Sequence, residues 1–213
     1  MIKAILFDFD GTIVDSDAVT LLEFINLMKH FHYPIPTNKQ LFKLRGIPAV
    51  TMIEKLLPNI SKARVQEMYQ FKNKNADGFM PQIKLFPDVK KVLTQLKEDY
   101  ILAVVTSRRK RAVDILVRLH VLEHLFDMTV AKEDVANHKP HPEGIKKVLH
   151  QFDTHKKEAI YVGDAESDVK TAHSAGLKCI IISPTALDFA TDYHVKHIKD
   201  LPLLINKIEL LRN

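Results

Sequence analysis

The sequence predicts an α/β protein: a doubly wound parallel sheet, interrupted soon after its first strand by an all-helical insertion. Three observations carry that reading. Short apolar runs alternate with helical patterns from Pro87 onward, the rhythm of a parallel sheet with crossover helices. Between Asp15 and about Lys84 the apolar residues recur at helical spacing, and no strand pattern stands out. Chemically able side chains collect where the strands give out, the edge at which such sheets bind ligands. The expected division is a core of residues 1–14 and 85–213 and a helical domain of residues 15–84.

The chain opens on a strand, Ile5–Leu6–Phe7, that runs into Asp8, Phe9, Asp10, Gly11 and Thr12. Ser16 is placed to cap a helix over about 17–32, with Leu21, Leu22, Ile25 and Met28 on one face and Pro34 and Pro36 beyond its end. Shorter helices are expected at 37–44 and 49–57, separated by Arg45–Gly46–Ile47–Pro48. Another is expected from Ser61 to about Ala76, buried through Val65, Met68 and Tyr69 and stopped at Gly78. A helix over 88–98 then leads to the strand 101–105, which ends in Thr106–Ser107. Next come a helix at 109–119, a weak strand near 128–130 and a helix over 143–151 with Pro142 at its first turn. The strand 159–162 ends in Gly163–Asp164, and its following helix reaches Ala175 and stops at Gly176. A strand over 179–182 and an amphipathic helix over 201–211 close the pattern.

Composition narrows the function. The 213 residues hold 31 Lys and Arg against 26 Asp and Glu, a net charge of +5, with 46% hydrophobic and 27% charged residues. That mild excess suits small anionic substrates, and no basic stripe with interleaved aromatics suggests a nucleic-acid partner. Cys179, the only cysteine, lies in an apolar run, so its expected role is a buried inert thiol. No apolar run approaches the length of a membrane span, and a cytoplasmic monomer or weak homodimer is expected. Neither GxxxxGK[ST] nor GxGxxG occurs.

Two carboxylates one residue apart at the end of a buried strand need a partner, because Asp is seldom buried without a hydrogen bond, an ion pair or a metal. Asp8, Asp10, Asp164 and Asp168, without a Cys or His pair, describe a hard oxygen-ligand cation site, with magnesium the expected ion. Thr106, Ser107 and Lys139 suit phosphate oxygens, and Gly11 suits a close backbone approach to a ligand. A carboxylate is also a competent nucleophile through an aspartyl phosphate.

Asp8–Phe9–Asp10–Gly11–Thr12, a strand ending in Thr106, Lys139–Pro140, and the run Gly163 to Asp168 together resemble the four motifs of the haloacid-dehalogenase superfamily. The helical block after the first motif resembles its helical-cap subgroup, which includes phosphoglycolate phosphatase, pyrophosphatase and β-phosphoglucomutase. The resemblance implies a Rossmann-like core and a magnesium-dependent phosphatase acting on a small phosphorylated metabolite. It implies Asp8 as nucleophile and metal ligand, with Asp10 as general acid and base and a ligand through its backbone carbonyl. Thr106, Ser107 and Lys139 would hold the phosphoryl group, Asp164 would bind the metal, and Asp168 would orient a water or the loop. Asp10 argues for a phosphate ester or anhydride over a carbon–halogen bond, since the dehalogenating relatives lack it. Thr12 and Thr20 stand where mutases of the subgroup carry Val or Ala and His, which favours a phosphatase over a mutase. A phosphoglucomutase-type phosphoryl transferase and a non-catalytic phosphate-binding regulatory module of the same fold are the alternatives. In the insertion, Arg45 is a candidate contact for a second anionic group, and Arg108 with Arg109 suggests a polyanionic substrate on charge alone.

Overall fold

The computed structural model describes residues 1–44 and 47–211, except for the side chain of Phe42. These residues form eight strands and nine α-helices, in chain order β1 (Ala4–Phe7), β2 (Val14–Asp15), α1 (Asp17–His30), α2 (Asn38–Phe42), α3 (Ala49–Leu56), α4 (Lys62–Asn75), β3 (Lys84–Leu85), α5 (Val89–Lys97), β4 (Ile101–Val105), α6 (Lys110–Leu119), β5 (Met128–Val130), α7 (Glu143–Gln151), β6 (Ala159–Gly163), α8 (Glu166–Ala175), β7 (Lys178–Ile182), β8 (Tyr193–Val195) and α9 (Leu201–Leu210). They fall into two compact units, one made of Met1–Val14 and the chain from Leu85 onward, the other of Asp15–Lys84.

The first unit is built on a six-stranded parallel sheet in the order β5-β4-β1-β6-β7-β8. All four residues of β1 and all five of β6 are buried, because a parallel sheet is covered on both faces and its central strands must be apolar throughout. Register sets Leu6 beside Ala103 and Tyr161, and this row packs with Ile145, Val148, Val169 and Ala172 of α7 and α8. The alternate residues Ile5, Phe7, Leu102, Val104, Ile160 and Val162 are equally buried on the other side. α5 lies against β4 and α9, burying Val89, Val92, Leu93 and Leu96 along one stripe. α8 stops where expected, at Gly176, whose φ of +78° is open to glycine and costly for other residues.

The second unit is helical. Its core gathers Phe24, Leu27, Met28 and Phe31 of α1 and its end, Met52 and Ile53 of α3, and Val65 and Met68 of α4. Thr37 caps α2 through a reciprocal capping box with Gln40, and Ser61 caps α4 by accepting the Arg64 N–H. Lys72 of α4 pairs with Glu23 of α1, both nearly buried, which ties the two longest helices of the unit together.

Three local expectations are corrected, and one element is added. Ser16 precedes α1 but makes no side-chain cap, because its φ of −101° and ψ of 0° are helical whereas a capping residue is extended. Gly78 does not stop α4, which ends at Asn75 and passes into a 3₁₀ turn over Ala76–Gln82. The insertion is not wholly without strand, since β2 and β3 at its two ends pair with each other. β8 was not anticipated: it is three residues long, partly exposed, and joins the sheet edge beside β7. Among the described residues no helix is long and apolar enough to cross a membrane.

Candidate active site

Strand order sets the site. β1 lies between β4 and β6, so the segments leaving their carboxyl ends, at Asp8, Thr106 and Asp164, emerge side by side. Among the described residues, carboxylate oxygens of Asp8, Asp164 and Asp168 lie within 4.8 Å of one another. The side chain of Asp10 is not in that group: Arg108 Nε donates to its Oδ1 and Oδ2 at 3.0 and 2.8 Å, and Nη2 to Oδ1 at 2.5 Å.

Lys139 ties the acids together. Its ammonium donates to Asp8 Oδ1 at 2.8 Å, to Asp168 Oδ1 at 2.6 Å and to the Tyr161 hydroxyl at 3.2 Å. Burial works against that charge, but the carboxylates of Asp168 and Asp8 hold Lys139 well above the ordinary lysine range. Asp8 is pushed the other way. Burial raises its carboxyl to about 7, Lys139 opposes the rise, and Asp168 and Asp10 add to it. Asp168 lies in the first turn of α8 but is only 1% exposed, a buried acid rather than a solvated one. Its Oδ2 accepts the N–H groups of Asp164 and Ala165 at 3.1 Å each, which fixes the loop leaving β6.

Two glycines make room for these contacts. Gly11 has a φ of +80°, and a Cβ there would lie 2.3 Å from Asp164 Oδ2. A Cβ on Gly163 would lie 2.4 Å from the Asp168 carboxyl. Thr12 Oγ1 donates to Asp164 Oδ1 at 3.4 Å. On the β4 side, the buried Thr106 hydroxyl accepts the Arg108 N–H at 3.1 Å, and Ser107 Oγ is buried without a hydrogen-bond partner. Arg45 lies outside the described residues.

The sequence showed no sign of two residues here, and of a third only its charge. Tyr161 reads there as an ordinary aromatic strand residue, yet its hydroxyl donates to the Val105 carbonyl at 2.8 Å while accepting from Lys139. Glu143, at the start of α7, accepts Ala136 N–H, Asn137 N–H and Asn137 Nδ2 at 3.0, 2.9 and 3.0 Å, which braces the loop carrying Lys139. Those donors, the Ala136 N–H foremost, hold the Glu143 carboxyl down at about 2. Arg108 was noticed for its charge, but nothing in the sequence tied it to Asp10. Cys179 is buried, and burial raises its thiol, as an inert core residue requires.

The donor set fits a hard divalent cation. Four carboxylates against Lys139 and Arg108 leave a formal excess of two negative charges, and the available atoms are oxygens. Both Asp168 oxygens are already engaged, so Asp8 and Asp164 are the side chains suited to hold the ion.

Comparison with known proteins agrees with this architecture. A family model for haloacid dehalogenase-like hydrolases matches residues 5–182. A candidate pyrophosphatase PpaX of Caldanaerobacter subterraneus subsp. tengcongensis is 32% identical over 190 residues, covering 88% of this chain and 84% of that protein. The pyrophosphatase PpaX of Bacillus mycoides is 25% identical over 218 residues, covering 97% of this chain and 98% of that one. A candidate haloacid dehalogenase-like hydrolase from Bacteroides fragilis shares the fold, with a TM-score of 0.88 at 24% identity over 94% of this chain and all of that one. With the parallel sheet, its acidic edge and the match from β1 through β7, the chain belongs to the haloacid dehalogenase-like hydrolase family.

Proposed function

We propose that the protein is a magnesium-dependent phosphatase for a small phosphorylated metabolite, working through an aspartyl phosphate on Asp8. One observation carries the proposal: a buried carboxylate at the end of β1 is held 2.8 Å from a buried ammonium and beside two further acids. Asp8 attacks phosphorus and the bond to the leaving oxygen breaks, while Asp10 gives that oxygen its proton. Asp10 then takes a proton from water, the water oxygen attacks the aspartyl phosphate, and phosphate leaves as the Asp8 carboxylate is restored. Lys139 offsets charge on the nucleophile and on the transferring group. The Thr106 hydroxyl and the Ser107 N–H are suited to its equatorial oxygens. Magnesium, held by Asp8, Asp164 and the Asp10 backbone carbonyl, would supply electrostatic stabilisation of the phosphoryl oxygens. Asp168 acts through Lys139 and the loop after β6.

The name pyrophosphatase borne by the PpaX relatives supports testing pyrophosphate beside phosphate monoesters. Purified protein is expected to release phosphate from these substrates only when magnesium is supplied, and Asp8→Asn to abolish turnover. Undiminished turnover by Asp8→Asn would overturn the nucleophile assignment.

A further inference from the structure

Arg108 is a charged group at this edge that the phosphatase mechanism leaves unused. Its backbone belongs to the turn after β4: its N–H donates to Thr106 Oγ1 at 3.1 Å, and its carbonyl accepts the Lys132 N–H at 2.9 Å. Its side chain is only 14% exposed, so the guanidinium is a placed and largely desolvated cation. It grips both oxygens of Asp10, a residue 98 positions away in the chain.

We propose that Arg108 determines specificity by selecting substrates whose leaving group is itself anionic, phosphoanhydrides such as inorganic pyrophosphate above neutral-alcohol monoesters. The inference rests on the proposed function through its assignment of Asp10 to the leaving oxygen. Asp10 serves the oxygen between phosphorus and leaving group, so a guanidinium bonded to Asp10 stands on the leaving-group side. The planar fork that fits a carboxylate also fits phosphate, with two parallel N–H donors. A second phosphoryl group can therefore replace Asp10 on Arg108, which frees Asp10 for the leaving oxygen. A neutral alcohol offers nothing in exchange, so opening the Arg108–Asp10 pair costs such a substrate more.

Two arms test this. In the first, imidodiphosphate and inorganic phosphate are titrated calorimetrically into the magnesium-loaded protein. Arg108→Gln is expected to weaken imidodiphosphate at least tenfold more than phosphate, with Arg108→Lys between it and the parent. In the second, kcat/KM for pyrophosphate relative to glycerol 2-phosphate is expected to fall at least tenfold in Arg108→Gln, chiefly through KM for pyrophosphate. Equal losses on both ligands and both substrates would show that Arg108 merely positions Asp10, and an unchanged ratio would also overturn the inference. Thermal melting of both variants separates a folding defect from a binding one. If imidodiphosphate is discriminated while Asp8→Asn keeps its turnover, the nucleophile assignment fails and the anion-selecting role of Arg108 stands. If Asp8→Asn is inactive and discrimination is absent, the reverse holds.

Discussion

Removing one oxygen atom tests the hydrogen-bond arrangement beneath the site. In Tyr161→Phe the ring still fills its fully buried position in β6, so apolar burial is nearly unchanged. What disappears is the hydroxyl that donates to the Val105 carbonyl at 2.8 Å and accepts from Lys139 at 3.2 Å. An ammonium has three N–H donors, and here they go to Asp8, Asp168 and Tyr161. Losing Tyr161 strands one charged donor and deprives one buried carbonyl of a partner. A buried polar group left unsatisfied costs about 1–3 kcal/mol, and hydrogen bonds to charged groups are the more expensive ones. We expect a loss of about 2–3 kcal/mol. With a urea slope of about 2–3 kcal/mol per M, the unfolding midpoint should fall by about 1 M. If roughly half of that loss is felt at the Lys139 ammonium in the transition state, kcat falls about tenfold, since 1.4 kcal/mol is one decade. KM should move much less, because in the proposed mechanism Lys139 acts on charge that develops during transfer. The two measurements are urea unfolding followed by circular dichroism and steady-state hydrolysis of p-nitrophenyl phosphate with magnesium. Parent-like midpoint and kcat together would refute the reasoning, for Lys139 would then be satisfied by its two carboxylates alone.

Two further outcomes follow from neighbouring contacts. Gly11→Ala puts a methyl group 2.3 Å from Asp164 Oδ2 at a φ of +80°. It should raise the magnesium concentration for half-maximal stabilisation in a thermal-shift titration at least tenfold and cost about 1–2 kcal/mol in left-handed strain; an unchanged magnesium titration would count against Asp164 as a ligand. Glu143 has its folded carboxyl lowered from 4.5 to about 2, so the unfolded state binds the proton more tightly. Its stabilising effect is therefore complete above about pH 5 and fades as pH falls through the window between the two values. The melting-temperature difference between the parent and Glu143→Gln should shrink from pH 5 to pH 2, and a difference constant across that range would contradict the bracing role given to the loop before α7.

The parts legible in the sequence were those encoded within a few neighbouring residues. β1, β4 and β6 announce themselves because both sheet faces are covered, so Ala4–Phe7, Ile101–Val105 and Ala159–Gly163 are apolar almost without break. The acids follow directly from those strand ends, which is why Asp8 and Asp164 could be named before their distance was known. β8 had no such signal: Tyr193–His194–Val195 is short and its residues are partly or fully exposed, so hydropathy barely marks it. β2 and β3, of two residues each, exist only as partners across the insertion. Ser16 misled because its residue type suits a cap while its backbone does not. Tyr161 and Glu143 were invisible as site residues, and Arg108 was visible only as a charge without its Asp10 partner, for another reason. The sequence shows what each side chain is made of, but their partners are fixed by strand order and loop path.

That difference bears on how such a site diverges. In the proposed mechanism the acids and Lys139 act on one phosphoryl group, and Asp8, Lys139, Asp168 and Asp164 are tied together so closely that a change in one disturbs the rest. Asp168, for example, holds Lys139 and the Asp164 and Ala165 N–H groups at once. Replacing it would leave a buried ammonium short of a carboxylate, a change that costs about 3–5 kcal/mol where a buried pair is broken. Arg108 is under a looser constraint. Its side chain meets Asp10, which is a third exposed, so a change at 108 falls on a half-open contact rather than on the buried group around Lys139. Selection for a new substrate can therefore act at the leaving-group side while the phosphoryl-transfer residues stay fixed. On this argument the motifs report the class of reaction, and preference among phosphates is set by side chains that reach the leaving group from elsewhere in the chain.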